Sequence, residues 1–179
     1  GNYKEQAQCG DAIQENDYIK EDGVWKISKL HLYSTMRAPV DDGWRVTALP
    51  RSQPSEEFPP DRPASVDYEN YPSVYVVPFH YEHPVTSPFV PNIAVEVLSV
   101  PTAETLAVEL EELDHRLSRL EDANDIERLQ TIYGYYLARN QWDELTGIFA
   151  SDGTIEIAMR GVYRGAASIR RNLNLYGVQ

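Results

Sequence analysis

This sequence has a single cysteine, no long apolar run and no excess of positive charge. Its one cysteine, Cys9, has no partner for a disulfide within the chain and no second thiolate for a zinc cage. No apolar run approaches the roughly 20 residues that a membrane helix needs. The net charge of −12 repels phosphate backbones and anionic lipid. We therefore expect no nucleic-acid partner and no membrane association, and we predict neither a metal nor a cofactor.

Proline is missing from both ends of the chain, since all twelve prolines lie between Pro39 and Pro101. This distribution, together with the pattern of apolar residues, divides the chain into four segments: 1–36, 37–101, 102–123 and 124–179. The hydrophobic content of 42% is enough for a packed core. Residues 1–4 carry no signal-peptide pattern, which leaves the cellular compartment open.

The first segment predicts a β-hairpin. Residues 12–20 and 24–35 have the composition of strands, and the Asp22-Gly23 pair between them is a strong turn signal. Alternation in the second strand predicts one face with the side chains Trp25, Ile27, Lys29, His31 and Tyr33, and an opposite face with Leu30, Leu32 and Ser34. Because both faces carry apolar residues, we expect the strand to be covered on both sides.

The middle segment predicts an extended arm. Its prolines exclude helix and central strand, and it is too long for an ordinary loop. Its many aromatic residues argue against a flexible linker: Tyr68, Tyr71, Tyr75, Phe79, Tyr81 and Phe89. We favour an arm that packs on a surface, of this chain or of another subunit, with short edge strands at 73–77 and 92–98. His80 and His83 beside Glu82 form only a weak metal-binding pattern.

The third segment carries leucines at heptad spacing, and we call these residues the leucine stripe: Leu106, Leu110, Leu113, Leu117 and Leu120. Two interpretations are open, an amphipathic helix lying on its own domain and a helix for self-association. The pattern changes at 121–124, where Asn124 and Glu127 fit a capping box. This predicts a new helix from Asn124, followed by a short helix at 142–149, a strand at 154–159 and a helix from Gly165.

Two parts of the chain resemble one known kind of domain. Residues 125–136 (DIERLQTIYGYY), 141–145 (QWDEL), 148–153 (IFASDG) and 161–165 (GVYRG) resemble the opening of SnoaL-like domains, which belong to the nuclear transport factor two-like superfamily. Residues 15–33 (ENDYIKEDGVWKISKLHLY) resemble the closing strands of the same domains. The ending therefore precedes the beginning, as in a permuted domain or at the junction of two tandem domains.

The resemblance implies an α+β fold in which a curved antiparallel sheet wraps on helices as a cone around an apolar pocket. In this chain the proline-rich arm splits that fold into two halves. The central hairpin of the family has no counterpart in the sequence, so the arm or a neighbouring chain is expected to supply strands in its place.

The resemblance also implies acid–base chemistry on a small apolar ligand, without a cofactor, as in lyases and isomerases. Many family members carry an aspartate five residues after the tyrosine of the first helix, and here Ala138 occupies that position. His31 and Tyr136 are then the candidate catalytic residues. The predicted pocket-lining residues are Tyr33, Tyr133, Trp142, Phe149 and Ile157.

Three functions are compatible with the sequence. The chain is a pocket protein for a small organic ligand that self-associates through its arm and helix, or an assembly protein that exchanges domain halves between copies. The third interpretation is a fragment of a tandem lyase or isomerase. The partners we expect are other copies of the chain and a small apolar ligand.

Overall fold

The computed structural model describes residues 7–41, 48–79 and 102–177, which form two units: Gly1–Val77 with Leu129–Gln179, and Pro78–Arg128. The elements are β1 (Gln8–Glu21), β2 (Val24–Pro39), α1 (Ala103–Ala138), α2 (Trp142–Gly147), β3 (Phe149–Ile157), β4 (Val162–Arg164), α3 (Gly165–Leu173) and a 3-10 turn (Asn174–Tyr176). The predicted α+β fold is confirmed.

The predicted hairpin is confirmed. β1 and β2 pair antiparallel from Glu21↔Val24 outward, and Asp22 and Gly23 alone form the turn. Both turn residues have positive φ, 51° and 80°. This is the conformation of a two-residue turn that matches the twist of its strands, and glycine adopts it without a steric penalty.

One mixed sheet joins the two ends of the chain, in the order β1-β2-β3-β4. β2 pairs with β3 in parallel, with Leu30 beside Ile155, so the sheet is not antiparallel throughout as predicted. Gly153 permits this joint, because a Cβ there would lie 2.9 Å from the main-chain oxygen of Ile27. The two segments that resemble opposite ends of one domain thus complete one sheet within a single chain.

A β-bulge decides which side chains of β2 share a face. Asp17 pairs with Lys29 and Tyr18 with Ile27, so that Ser28 is an extra residue. Ile27 consequently packs in the same apolar cluster as Leu30, whereas Tyr33 belongs to a second cluster. The prediction of one face running from Trp25 to Tyr33 is wrong, because it assumed unbroken alternation.

The first cluster is the main core of the larger unit. It joins β2 and β3 to the end of α1 and to α2 and α3, and its most buried members are Ile27, Leu30, Trp142, Leu145, Ile155, Tyr163, Ile169 and Leu173. Hydrogen bonds of the Gln130 side chain connect the end of α1 to β1. This side chain accepts a hydrogen bond from the Tyr18 hydroxyl at 2.9 Å and donates one to Gln14 at 3.2 Å. The indole of Trp142 donates to the Gly177 carbonyl at 3.0 Å.

The arm packs on the sheet of its own chain over residues 48–77. Tyr68 and Val77 are buried with Tyr33 and Met159, and the Tyr68 hydroxyl donates to the Ser34 carbonyl at 3.1 Å. Residues 48–79 contain no strand, only a single bridge between Arg62 and Val162, so an edge strand at 73–77 is not formed. The predicted strand at 92–98 and the residues His80 and His83 lie outside the described residues.

Asp61 fixes the arm to the start of α3. Its carboxylate accepts from the backbone N–H of Arg164 at 2.7 Å, from the Ser168 hydroxyl at 3.0 Å and from Arg171 at 2.6 Å. Burial alone would raise the pKa of Asp61, but these three donors outweigh burial and lower it. Since α3 has no side-chain cap of its own, Asp61 supplies the missing acceptor from a distant part of the chain.

The second unit contains most of α1. This helix runs without interruption over 36 residues, so the predicted break and new start at Asn124 are wrong. A capping box has no function inside a helix, because its backbone donors are already paired. The five side chains of the leucine stripe are each at least half exposed, between 50% and 72%. In the described part of the chain, no helix has the length and apolarity to cross a membrane.

Candidate functional site

An apolar cavity of about 430 Å³ lies in the larger unit, between the sheet and the helices. One wall comes from β1 and from the far end of β2, including Leu32, Ser34 and Met36. The opposite wall comes from Tyr133 and Leu137 of α1. This volume falls within the range of pockets that bind small organic molecules.

A second bulge in β2 determines which residues of this strand line the cavity. Asp11 pairs with Met36 and Ala12 with Ser34, which makes Thr35 an extra residue. The Thr35 hydroxyl donates to the Asp11 carboxylate at 2.8 Å. Because the bulge resets the alternation, both Met36 and Arg37 line the cavity.

Two tyrosines, Tyr133 and Tyr176, line the cavity. Burial raises the pKa of Tyr133, which keeps its hydroxyl protonated as a hydrogen-bond donor. Burial also raises the pKa of Tyr176, against the influence of Arg160 and Arg37. Although 44% of the Tyr176 surface is exposed, its hydroxyl is therefore a protonated donor as well.

Residues 118–176 match the family described as the SnoaL-like domain. Over these residues the chain is similar to SnoaL-like domains. The matched segment supplies one wall of the cavity, with Tyr133, Trp142 and Ile157, while β1 and β2 lie outside it. Comparison with curated proteins and with solved structures gives no match.

The structure brings three of the residues predicted for the SnoaL-like pocket to the cavity and places four elsewhere. Tyr133, Trp142 and Ile157 line it. Phe149 is buried in the first cluster, with Tyr136 packed against that cluster, and Tyr33 lies in the second cluster. His31 lies on the face of the sheet that carries Tyr33, since the bulge at Ser28 separates that face from the cluster containing Ile27.

The charged residues of the cavity, Asp11, Arg37 and Arg160, were not predicted from the sequence. Arg37 follows a bulge, and Arg160 follows Ala158, whose φ of 50° breaks the alternation of β3. Neither irregularity has a signature in the sequence.

His31 and Glu156 form a buried pair on the opposite face. The His31 ring stacks on Tyr33 at 3.9 Å between centroids, and its Nε2 lies 3.9 Å from Glu156 Oε2. Glu156 accepts from the backbone N–H and the hydroxyl of Ser65, at 2.6 and 2.7 Å. This pair therefore anchors the arm to the sheet.

Burial lowers the pKa of His31 below its usual range, and Lys29 lowers it further, while Glu156 and Glu15 act in the opposite direction. In the unfolded chain the His31 side chain takes up a proton below about pH 6.5, whereas in the folded chain it does so only at a lower pH. We predict that the free energy of unfolding falls as the pH drops from 7 to 5, by at most about 1.4 kcal/mol per pH unit from this group. Urea unfolding across this pH range measures the slope.

In the His31→Gln variant this slope becomes shallower, because the imidazole is gone and the carboxylates remain. His115→Gln, on the exposed part of α1, is the matched control and keeps the wild-type slope. An unchanged slope in His31→Gln contradicts the assignment.

Proposed function

We propose that the chain binds a small apolar organic molecule in the cavity between the sheet and the end of α1. The observation that carries the proposal is the cavity itself, about 430 Å³ in volume and lined mainly by carbon atoms. Apolar ligands gain affinity by leaving water, and the tyrosine hydroxyls supply the few polar contacts that orient a ligand. The match of residues 118–176 to the SnoaL-like domain supports a pocket of this kind.

Binding is better supported than catalysis. The two candidate proton carriers, His31 and Tyr136, do not line the cavity, and the described lining contains no histidine. The cavity lining includes the carboxylate of Asp11, but this group already accepts a hydrogen bond from the Thr35 hydroxyl. It also lies near the exposed end of β1. Acid–base chemistry requires a base within hydrogen-bond reach of its substrate.

Filling the cavity tests the proposal. The neutral probe N-phenyl-1-naphthylamine fluoresces when it leaves water, and we expect it to bind the wild-type chain. Leu137→Trp places an indole in the cavity from the partly buried side of α1, and we predict at least a tenfold loss of affinity, or about 1.4 kcal/mol. Fluorescence titration gives the dissociation constant.

Ile132→Trp is the matched control. Ile132 lies on the same helix but is exposed, and it does not line the cavity. Its affinity for the probe should equal that of the wild type. Absence of probe binding to the wild-type chain, or equal loss in both variants, contradicts the proposal.

A second function, self-association, is favoured by the exposed leucine stripe. Residues 48–77 of the arm lie on the sheet of their own chain, so we narrow this proposal to the helix. At heptad spacing, Leu106, Leu113 and Leu120 take one core position and Leu110 and Leu117 the other. Exposed leucines in this pattern are typical of a helix that packs against another helix.

Flanking charges favour a second copy of the same helix in antiparallel orientation. When Leu110 faces Leu113 of the other copy, Glu109 lies beside Arg116 of that copy, and symmetry produces this ion pair twice. Parallel pairing places Glu109 beside Asp114, which repels it, and Arg116 beside Glu121, which attracts it. The antiparallel arrangement alone has attraction without repulsion.

Charge reversal distinguishes the two orientations. We predict that Glu109→Lys weakens dimerisation by about 1 kcal/mol or more, because both pairs become repulsive, and that adding Arg116→Glu restores it. Glu111→Lys changes the same charge outside the leucine stripe and is the control. Light scattering after size exclusion, over a range of concentrations, gives the dimer fraction.

A chain that stays monomeric at all concentrations contradicts the self-association proposal. A dimer that Glu109→Lys strengthens contradicts the antiparallel orientation, because only in the parallel arrangement does this change turn repulsion into attraction.

A further inference from the structure

A second cavity adjoins the apolar one and differs from it in charge. It measures about 330 Å³, and its described lining includes Arg37, Arg51 and Arg160. Arg37, Ser52 and Arg160 line both cavities. A single ligand can therefore occupy both spaces at once.

Three arginines around one cavity are unexpected in this chain. It carries 28 acidic residues against 16 basic ones, and the described lining of the second cavity contains no carboxylate. A protein with a net charge of −12 repels anions over most of its surface. A local concentration of guanidinium groups is thus a specific feature of this site.

Arg51 already has acidic partners. Its guanidinium pairs with Asp67 and lies 3.6 Å from Glu69. Arg37 donates to the Pro50 carbonyl at 3.2 Å. Arg51 therefore shapes the wall of the second cavity, and Arg37 lies where the two cavities meet.

Arg160 has a hydrogen-bond donor that no described residue uses. Among the described residues the buried Nη1 of its guanidinium has no hydrogen-bond partner. The guanidinium lies 5.4 Å over the Tyr176 ring, which holds it at the cavity wall. A buried donor without an acceptor is unfavourable, and an anionic ligand supplies the acceptor.

We propose that the ligand is an amphipathic organic anion, with its apolar body in the first cavity and a carboxylate or phosphate group at Arg160. The planar fork of a guanidinium matches the oxygens of both groups and distinguishes them from a neutral hydroxyl. The inference rests on the proposed function, since it assigns the head group of the ligand bound there.

Displacement of the neutral probe N-phenyl-1-naphthylamine tests the head group. The competitors 2-naphthoate, 2-naphthyl phosphate and 2-naphthol share one apolar body and differ in charge. We expect at least one of the two anions to displace the probe from the wild-type chain at a concentration about tenfold lower than 2-naphthol. The better anion identifies the head group.

Substitution of Arg160 tests whether the preference for an anion over 2-naphthol arises at this site. In Arg160→Met the advantage of the anion over 2-naphthol disappears, and in Arg160→Lys part of it remains because the charge remains. Arg164→Met is the control, since Arg164 is exposed, pairs with Asp152 and lines neither cavity. For each variant, the concentration of the anion that displaces the probe is divided by that of 2-naphthol. This ratio corrects for changes in the affinity of the probe.

Equal displacement by all three competitors in the wild-type chain overturns the inference and needs no variant. An anion preference that Arg160→Met retains overturns it too. Both results leave the apolar pocket intact, whereas failure of the probe itself to bind overturns the proposed function.

Discussion

The structure depends on the parallel pairing of β2 with β3. Without this pairing, the hairpin of β1 and β2 would not be joined to β3, and β3 would have only the three-residue β4 as a partner strand. The pairing places Leu30 beside Ile155, and both are fully buried in the main core. It requires the close approach that Gly153 allows. Core, cavity and arm contacts all follow from this joint between distant parts of the chain.

The joint gives the sheet two faces with different uses. One face packs against the helices and leaves the apolar cavity beside Tyr133. The arm covers the other face through Tyr68 and through Ser65, which binds the Glu156 carboxylate. His31 belongs to this covered face, where burial disfavours its protonated form and so makes the folded state less stable as the pH falls. The family resemblance identified the kind of fold, while the bulges decided which residues reach the cavity.

The turn of the hairpin was predictable from the sequence, whereas the strand irregularities and the contacts between distant segments were not. Asp22-Gly23 predicts its hairpin because the turn depends on two residues alone. The bulges at Ser28 and Thr35 escape prediction, since an extra residue in a strand leaves the composition unchanged. Arg37 and Arg160 meet at the cavity only after β2 and β3 have paired, and no pattern within either segment indicates that meeting.

The most direct test is to introduce a disulfide across the pairing of β2 with β3. Lys29 and Thr154 are paired neighbours on β2 and β3, and Cys9 is the only natural cysteine. Lys29→Cys and Thr154→Cys in a Cys9→Ser chain should oxidise to a bond within one 20.4 kDa chain, as mass spectrometry of the oxidised and digested protein would show. A bond formed only between two chains, or no bond at all, would contradict the account.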